Sequence, residues 1–317
     1  MADRCGMLDP VPLLTESQLA ARDALATNLP DMVEVPAWAA RLVTTSGQTR
    51  TDASPDAPWA VEADGLSLVS IRVPRLRDLH EPDLALAVAA GYRALFTRLK
   101  HCAAQHPVRF WNHIPGLHDR VGPGLDRYMA FNAGRFAAMQ EWFGGVDQVR
   151  RCVACASGIG HTGRDLFIHC LAAEKPGVPV ENPRQVPAYL YSKRFGPTPP
   201  CFARATVAEL RGEKVLLIAG TASIRGEESV HIGDLEAQVH ETMINLRAVI
   251  ARGCECPEAG ALDRLREVRV YCPRAIDEAW MREVCVREFR NVAQVEILRA
   301  DLCRSELLVE LEGVATV

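Results

Sequence analysis

Apolar and polar positions along the chain fall into two successions of one kind. Leu66 to Val73 alternates as a half-buried strand does. Pro82 then opens a helix over Asp83 to Gln105, with Leu84, Val88, Tyr92, Leu95 and Leu99 on one face. Val108 to His113 is a further strand, ended by Pro115-Gly116. In the second half, Val215 to Ile218 carries a short buried-strand signal. Gly220-Thr221-Ala222-Ser223 follows, small residues that let backbone or ligand come close. A polar loop, Arg225 to His231, leads to Asp234, the expected N-cap of a helix whose Leu235, Val239, Met243, Leu246 and Ile250 share a face. Gly253 is expected to end it, and Val268 to Tyr271 is the returning strand. Strand, turn, long helix, strand thus occurs over 66–113 and again over 215–271. The pattern predicts an α+β chain, duplicated in structure with little sequence identity left between the copies.

The stretch between them reads as a helix from Leu125 to Phe143 and a strand from Arg151 to Ser157. Leu166 to Ala172 is apolar and of undecided type. Lys175 to Pro200 is a proline-rich loop that runs over the surface or wraps a site, and Phe202 to Thr206 is a short strand. Beyond the second copy, Asp277 to Arg287 predicts a helix, and Gln294 to Leu298 and Leu307 to Leu311 predict strands. The expected division is an N-terminal unit over 1–145, preceded by an extension, and a C-terminal unit over 146–317. The segment of about 125–206 is expected to contribute to the site. Prolines interrupt the first sixty residues, and Thr44 to Pro58 is a polar loop.

A formal net charge of −4 over 317 residues gives no bulk electrostatic case for binding nucleic acid or an anionic membrane. Arginine far outnumbers lysine, so anionic ligands can still be held locally by forked guanidinium groups. No run approaches the roughly 20 apolar residues of a membrane helix. The start, MADRCGMLDPVPLL, lacks the long apolar core of a secretory signal. Eleven cysteines, an odd number, suggest reduced cytoplasmic thiols rather than a disulfide framework. The expectation is a cytoplasmic protein acting on a small molecule, as a monomer or a homo-oligomer.

Several residues invite a chemical reading. Glu310 sits in Leu307-Leu308-Val309-Glu310-Leu311-Glu312, where Glu310 and Glu312 share one strand face. A carboxyl among apolar neighbours has a raised pKa and can act as a general acid; it can also simply mark a sheet edge. Cys303 lies seven residues earlier, and most cysteines are small buried hydrophobes. Tyr128, Asn132 and Arg135 fall on one helix face, which is either a carboxylate-binding edge or a solvated surface. Tyr191, Lys193 and Arg194 in the proline-rich loop form a second basic-aromatic cluster, and two such clusters suit a substrate with two carboxylates.

Three motifs are set aside. Gly158 to Gly163 fits G-x-G-x-x-G, but the alternating units of a dinucleotide fold are missing around it. Cys152-x-x-Cys155 and Cys254-x-Cys256 are ill-spaced halves of a zinc site. Ser157 lacks the first glycine of a nucleophile elbow.

The C-terminal third resembles the YjgF/Rid family. The likeness lies in Ala219-Gly220-Thr221, Gly226-Glu227, Gly233 to Gln238, Asn245-Leu246, Gly253 and the closing run Leu308 to Ala315. That resemblance implies a trimer as the homo-oligomer. At whole-chain scale the sequence resembles the chorismatase family. Phe110 to Gly116, Tyr128 to Arg135, Ala156 to Gly160, Glu181 to Tyr189, Ser192 to Pro197, Ser223 to Glu227 and Cys303 to Glu310 carry that likeness. The resemblance implies a YjgF/Rid-like (chorismate-mutase-like) fold of mixed sheets and long packed helices. It implies an enzyme that consumes chorismate and releases pyruvate without cofactor or metal. By motif, Glu310 is the acid that protonates the enolpyruvyl methylene. A cysteine at the Cys303 position marks members that form 3-hydroxybenzoate, with 4-hydroxybenzoate as a second product. The alternative is water attack, giving a dihydroxycyclohexadiene carboxylate. Substrate contacts are expected from Tyr128, Asn132, Arg135, Tyr191, Arg194, Gly220 and Thr221. One departure counts against imine hydrolysis: where Rid deaminases carry an arginine, fifteen residues before the glutamate, this chain has Val295. A non-catalytic binding module of the same fold, and a dinucleotide oxidoreductase resting on Gly158 to Gly163 alone, are the remaining competitors.

Overall fold

Two mixed sheets stack face to face, each with helices on its outer side. The computed structural model describes residues 35–43 and 57–317. The first 34 residues and nearly all of the polar loop Thr44 to Pro58 lie outside that range. Helix α1 (Ala37–Val43) precedes the first sheet. Its strands are β1 (Trp59–Ala63), β2 (Leu66–Val73), β3 (His106–Pro115), β4 (Cys155–His161) and β5 (Leu166–Ala173). Helix α2 (Asp83–Leu99) joins β2 to β3, and α3 (Arg127–Phe143) and α4 (Val146–Cys152) join β3 to β4. The second sheet comprises β6 (Val178–Val180), β7 (Ala205–Leu210), β8 (Glu213–Ala222), β9 (Leu265–Cys272), β10 (Gln294–Arg299) and β11 (Glu310–Thr316). Helix α5 (Leu235–Gly253) joins β8 to β9, and α6 (Glu278–Glu288) joins β9 to β10.

The strand order is β1-β2-β5-β3-β4 in one sheet and β7-β8-β11-β9-β10, with β6 added at the β7 edge, in the other. The two orders are the same topology. In each, an antiparallel hairpin and a long helix are followed by a parallel strand pair, β3 with β4 and β9 with β10. The last strand of each, β5 or β11, then returns between the hairpin and that pair, antiparallel to both neighbours. The expected α+β fold with mixed sheets and long packed helices is present, and the duplication is complete at the level of strand order. The division was expected at 145/146. It falls ahead of β4 and β5, both strands of the first sheet, which runs to Ala173. Pairing of β5 with β2, about a hundred residues apart, leaves no trace in a local apolar pattern.

Three apolar layers hold the stack together. Leu84, Val88, Tyr92, Leu95 and Leu99 of α2 pack with Ala130, Phe131 and Met139 of α3 on the outer face of the first sheet. Val239, Met243, Leu246 and Ile250 of α5 do the same on the second. Between the sheets, Leu68, Val108, Trp111 and Leu171 meet Ala208, Leu217, Ala219 and Val314, capped by Trp38 of α1. Burial of such side chains contributes about 1.5–3 kcal/mol each.

Local chemistry accounts for the element ends. Asp234 caps α5 by accepting a 3.0 Å hydrogen bond from the Ala237 N–H. Gly253 lies inside the last turn of α5 rather than beyond it. A Cβ there would stand 2.4 Å from Leu216, so glycine is required for the helix to close on β8. Helix α2 stops at Leu99, short of Gln105, whose side-chain amide donates to the Lys100 and Cys102 carbonyls; Pro107 follows. The strand expected over Arg151 to Ser157 is instead the end of α4 and the start of β4. Asp147 in the first turn and Arg150 and Arg151 in the last match a helix dipole. Gly158 and Gly160 lie inside β4, which is followed by β5 and not by a helix. Phe202 to Thr206 is mostly loop, with β7 starting at Ala205. The run Leu307 to Val309 is buried loop, and β11 starts at Glu310. A short apolar run reports burial without telling strand from buried turn.

Candidate active site

Glu310 is the first residue of β11, opposite Ala222 on β8 and Tyr271 on β9. The two-residue strand period turns Glu310 and Glu312 together into the space between the sheets, where they are 4% and 3% exposed. Glu312 is fully engaged. Arg109 of β3 pairs with it at 2.7 Å, the Trp111 indole donates at 3.0 Å, and the Ser157 hydroxyl of β4 donates to the same carboxylate. Among the described residues Glu310 has no such partner, and burial pushes its carboxyl up to about 8. The Glu312 charge pushes the same way, while Arg109 and Arg204 oppose. The apolar-strand reading of this carboxyl therefore matches its environment.

The backbone of β8 is shaped to this carboxyl. The register against β11 slips between Ile218 and Thr221, a bulge at Ala219-Gly220. The bulge takes the Gly220 N–H out of the ladder and gives it to the Ser157 hydroxyl oxygen at 3.0 Å. Gly220 then lies directly against Glu310: a Cβ there would stand 1.9 Å from Oε1. With its hydroxyl proton on Glu312 and Arg109 at 2.6 Å, Ser157 has no histidine base, which accords with setting it aside as a nucleophile.

Glu310, Ser157 and Gly220 line a cavity of about 230 Å³. Its other walls come from Tyr128 and Arg135 on α3, Tyr191 and Phe195 in the proline-rich loop, Phe202 and Arg204 ahead of β7, and Cys303 and Arg304 ahead of β11. Burial pushes the Cys303 thiol up to about 12, aided by Glu310 and opposed by Arg304 and Arg204, so the neutral thiol is the form present. Burial raises the Tyr128 phenol in the same way.

Cations and rings alternate along one wall. Arg135 lies over Phe202 at 5.8 Å, Arg204 over Phe202 at 5.1 Å and over Tyr191 at 5.6 Å. Arg304 lies over Tyr191 at 5.4 Å and over Phe195 at 4.0 Å. Rings on the flat faces and hydrogen bonds to Val186, Tyr191, Glu227, Ser229 and Asn132 hold the guanidinium groups in place, using part of each N–H edge. Among the described residues, Arg135 Nε, Arg204 Nε and Arg304 Nη2 are buried donors without a partner. Three forked cations with open donors thus stand around one buried carboxyl, and such forks match carboxylate geometry.

Residues 42–172 match the family model described as chorismatase FkbO/Hyg5-like, N-terminal. The 3-hydroxybenzoate synthase of Streptomyces hygroscopicus is 37% identical over 237 residues, covering 72% of this chain and 68% of that protein. A chorismatase of Streptomyces rapamycinicus is 32% identical over 237 residues, covering 73% of this chain and 70% of that one. The chain belongs to the chorismatase family. A chorismatase crystal structure superposes with a TM-score of 0.73 at 29% identity, over 85% of this chain and 79% of that one. The matched N-terminal segment ends at residue 172, next to the last residue of β5 and thus where the first sheet closes.

Within this chorismatase fold the expected site residues separate into two groups. Glu310, Cys303, Tyr128, Arg135, Tyr191 and Gly220 meet at the cavity. Asn132 is buried behind it and accepts a 3.0 Å hydrogen bond from Arg135, so it orients rather than lines. Thr221 is buried, its hydroxyl on the Ala219 carbonyl at 3.0 Å. Arg194 is half exposed, paired with Glu228 and stacked on Phe195, and does not line the cavity. The other two cations of that wall, Arg204 and Arg304, were not among the residues expected from sequence. An arginine inside the buried run Phe202 to Thr206 was the available signal. Val295 packs against the second outer core, so the absent Rid arginine has no substitute at that position. No helix among the described residues is long and apolar enough to cross a membrane. The described cysteines are free thiols.

Proposed function

We propose that this chain converts chorismate to pyruvate and 3-hydroxybenzoate in the cavity at Glu310. The observation that carries the reading is a buried carboxyl, held protonated near neutral pH, facing a cavity rimmed by three incompletely bonded arginines. Membership in the chorismatase family and the likeness to a protein named 3-hydroxybenzoate synthase point to the same chemistry.

Chorismate is a ring carboxylate bearing a second carboxylate on its enolpyruvyl ether, together isomeric with the two products. Arg135, Arg204 and Arg304 are the residues proposed to hold the carboxylates. Glu310 donates its proton to the enolpyruvyl methylene, leaving an oxocarbenium-like centre and the Glu310 carboxylate. Attack of the ring 4-hydroxyl on the neighbouring ring carbon expels pyruvate and leaves an epoxide, and the hydroxyl proton returns to Glu310. The C4–O bond of the epoxide then breaks as its oxygen takes up a proton, and loss of the C4 proton aromatises the ring, so neither water nor a net proton is consumed. Cys303, a neutral thiol on the cavity wall, is proposed to donate or relay a proton at the ring.

The test is purified protein with chorismate and nothing added, with pyruvate and the ring product followed together. Pyruvate with 3-hydroxybenzoate is expected. Pyruvate with a non-aromatic diol would keep Glu310 as the acid and make Cys303 a bystander. No pyruvate would overturn the reading. Glu310→Gln is expected to abolish turnover, by at least about a hundred-fold for a lost general acid, while binding of chorismate, read by calorimetry, changes little.

A further inference from the structure

Glu312 lines no part of the cavity, yet three buried donors from the other sheet converge on it. Two buried carboxylates two residues apart on a strand stand roughly 6.6 Å apart at Cα. One of the pair is ion-paired and the other is not, the arrangement in which the unpaired member keeps its proton. The Ser157 hydroxyl joins Glu312 to the backbone of Gly220, the surface on which the Glu310 carboxyl rests. We propose that Glu312 is a positioning residue for the acid: it places a fixed negative charge behind Glu310 and, through Ser157, holds the Gly220 bulge against the Glu310 carboxyl. This rests on the reading of Glu310 as the general acid.

The groups facing Glu310 come from every element around it. They are Glu312 on β11, Arg109 on β3, Tyr271 on β9, Arg204 ahead of β7, Cys303 ahead of β11 and Tyr128 on α3. Of the charged ones, Glu312 favours the protonated form, whereas Arg109 and Arg204 favour the carboxylate. Replacing Glu312 by glutamine therefore acts twice: it removes the favouring charge and leaves Arg109 facing Glu310 without compensation. A residue that merely filled space would do neither.

The experiment is the pH profile of kcat for wild type, E312Q and the double variant R109Q/E312Q. Each is paired with infrared difference titration of the Glu310 carboxyl against its own E310Q counterpart. The high-pH limb of E312Q is expected to move to lower pH by about one unit or more, with KM little changed. The infrared band should titrate in parallel. In R109Q/E312Q, where no orphan charge is buried, the limb is expected to move the same way by less. E312D, which keeps the charge, should restore the wild-type limb with a reduced kcat. A limb and band left at the wild-type position in E312Q, or in the double variant should E312Q not fold, overturn the proposal. The infrared band needs no turnover. Full activity of E310Q alone would therefore strike the acid reading, whereas an unmoved band would strike the role of Glu312.

Discussion

Gly220 shows how tightly a single residue constrains this site. Its missing side chain is the space that the Glu310 carboxyl occupies, with the nearest oxygen 1.9 Å from where a Cβ would be. The neighbouring carboxyl is the only side that can give, because the Gly220 N–H is tied to Ser157. Gly220→Ala is therefore expected to displace the acid rather than the strand. A displacement of about 1 Å at a reacting group costs roughly a hundred-fold in rate, so kcat is expected to fall ten- to a hundred-fold while the unfolding midpoint changes little. Parallel kinetics and thermal melts check this; an unchanged kcat would show that the carboxyl has slack. At this scale much was legible beforehand. Glu310, Cys303 and Gly220 stand out by motif, and the shared face of Glu310 and Glu312 follows from strand period alone. The engagement of Glu312 was not legible, because Arg109, Trp111 and Ser157 reach it from strands of the other sheet.

The proline-rich segment and the approach to β7 act together at the scale of elements. Neither has regular structure long enough to define a face, yet their Tyr191, Phe195, Phe202 and Arg204 build one wall with Arg135 of α3 and Arg304. Stacking between rings fixes each cation where water is excluded. Arg204 also donates to the Tyr191 hydroxyl at 2.6 Å and to the Val186 carbonyl at 3.1 Å, so it pins the loop as well as facing the cavity. Arg204→Lys keeps the charge but loses the planar fork. A lost charge-assisted hydrogen bond costs about 1.5–3 kcal/mol, so KM for chorismate is expected to rise by roughly ten- to a hundred-fold, with a smaller effect on kcat. Arg194→Lys, outside the cavity, serves as the control. Equal effects from the two substitutions would put the anion at the loop surface instead. The sequence reading chose the loop arginine because it stands in an aromatic-basic cluster. The binding site proposed above uses the one in a buried run, which lines the cavity, since an anion is held best where its counter-ion is desolvated.

Over the whole molecule, the site carries a cost in stability that depends on pH. The Glu310 carboxyl is raised in the folded protein from an ordinary 4.5 to about 8. Such a group leaves stability intact below the unfolded pKa and lowers it as pH rises from there to the folded value. Between about pH 4.5 and pH 8, the Glu310 contribution falls by about 1.4 kcal/mol per pH unit at most. Glu310→Gln, inert as an acid, is therefore expected to be more stable than wild type at pH 8, by a margin that shrinks on acidification and vanishes near pH 4. Denaturant unfolding across that range measures it; a margin independent of pH would mean that the carboxyl is not held protonated.

Local sequence determined the helices, most strands and the repeated order of elements, because apolar period, caps and turn residues act within a few positions of one another. It also placed an acid among apolar neighbours and a cysteine ahead of it. The tertiary structure alone decided that β4 and β5 complete the first sheet rather than open the second. It alone decided that Arg204 and Arg304 face the cavity while Arg194 does not. The charge behind Glu310 is likewise decided there, since Glu312 is held by strands some 155 to 203 residues away. Sheet pairing, desolvation and the sign of a neighbouring charge are properties of distance in space, and a one-dimensional pattern holds no measure of it.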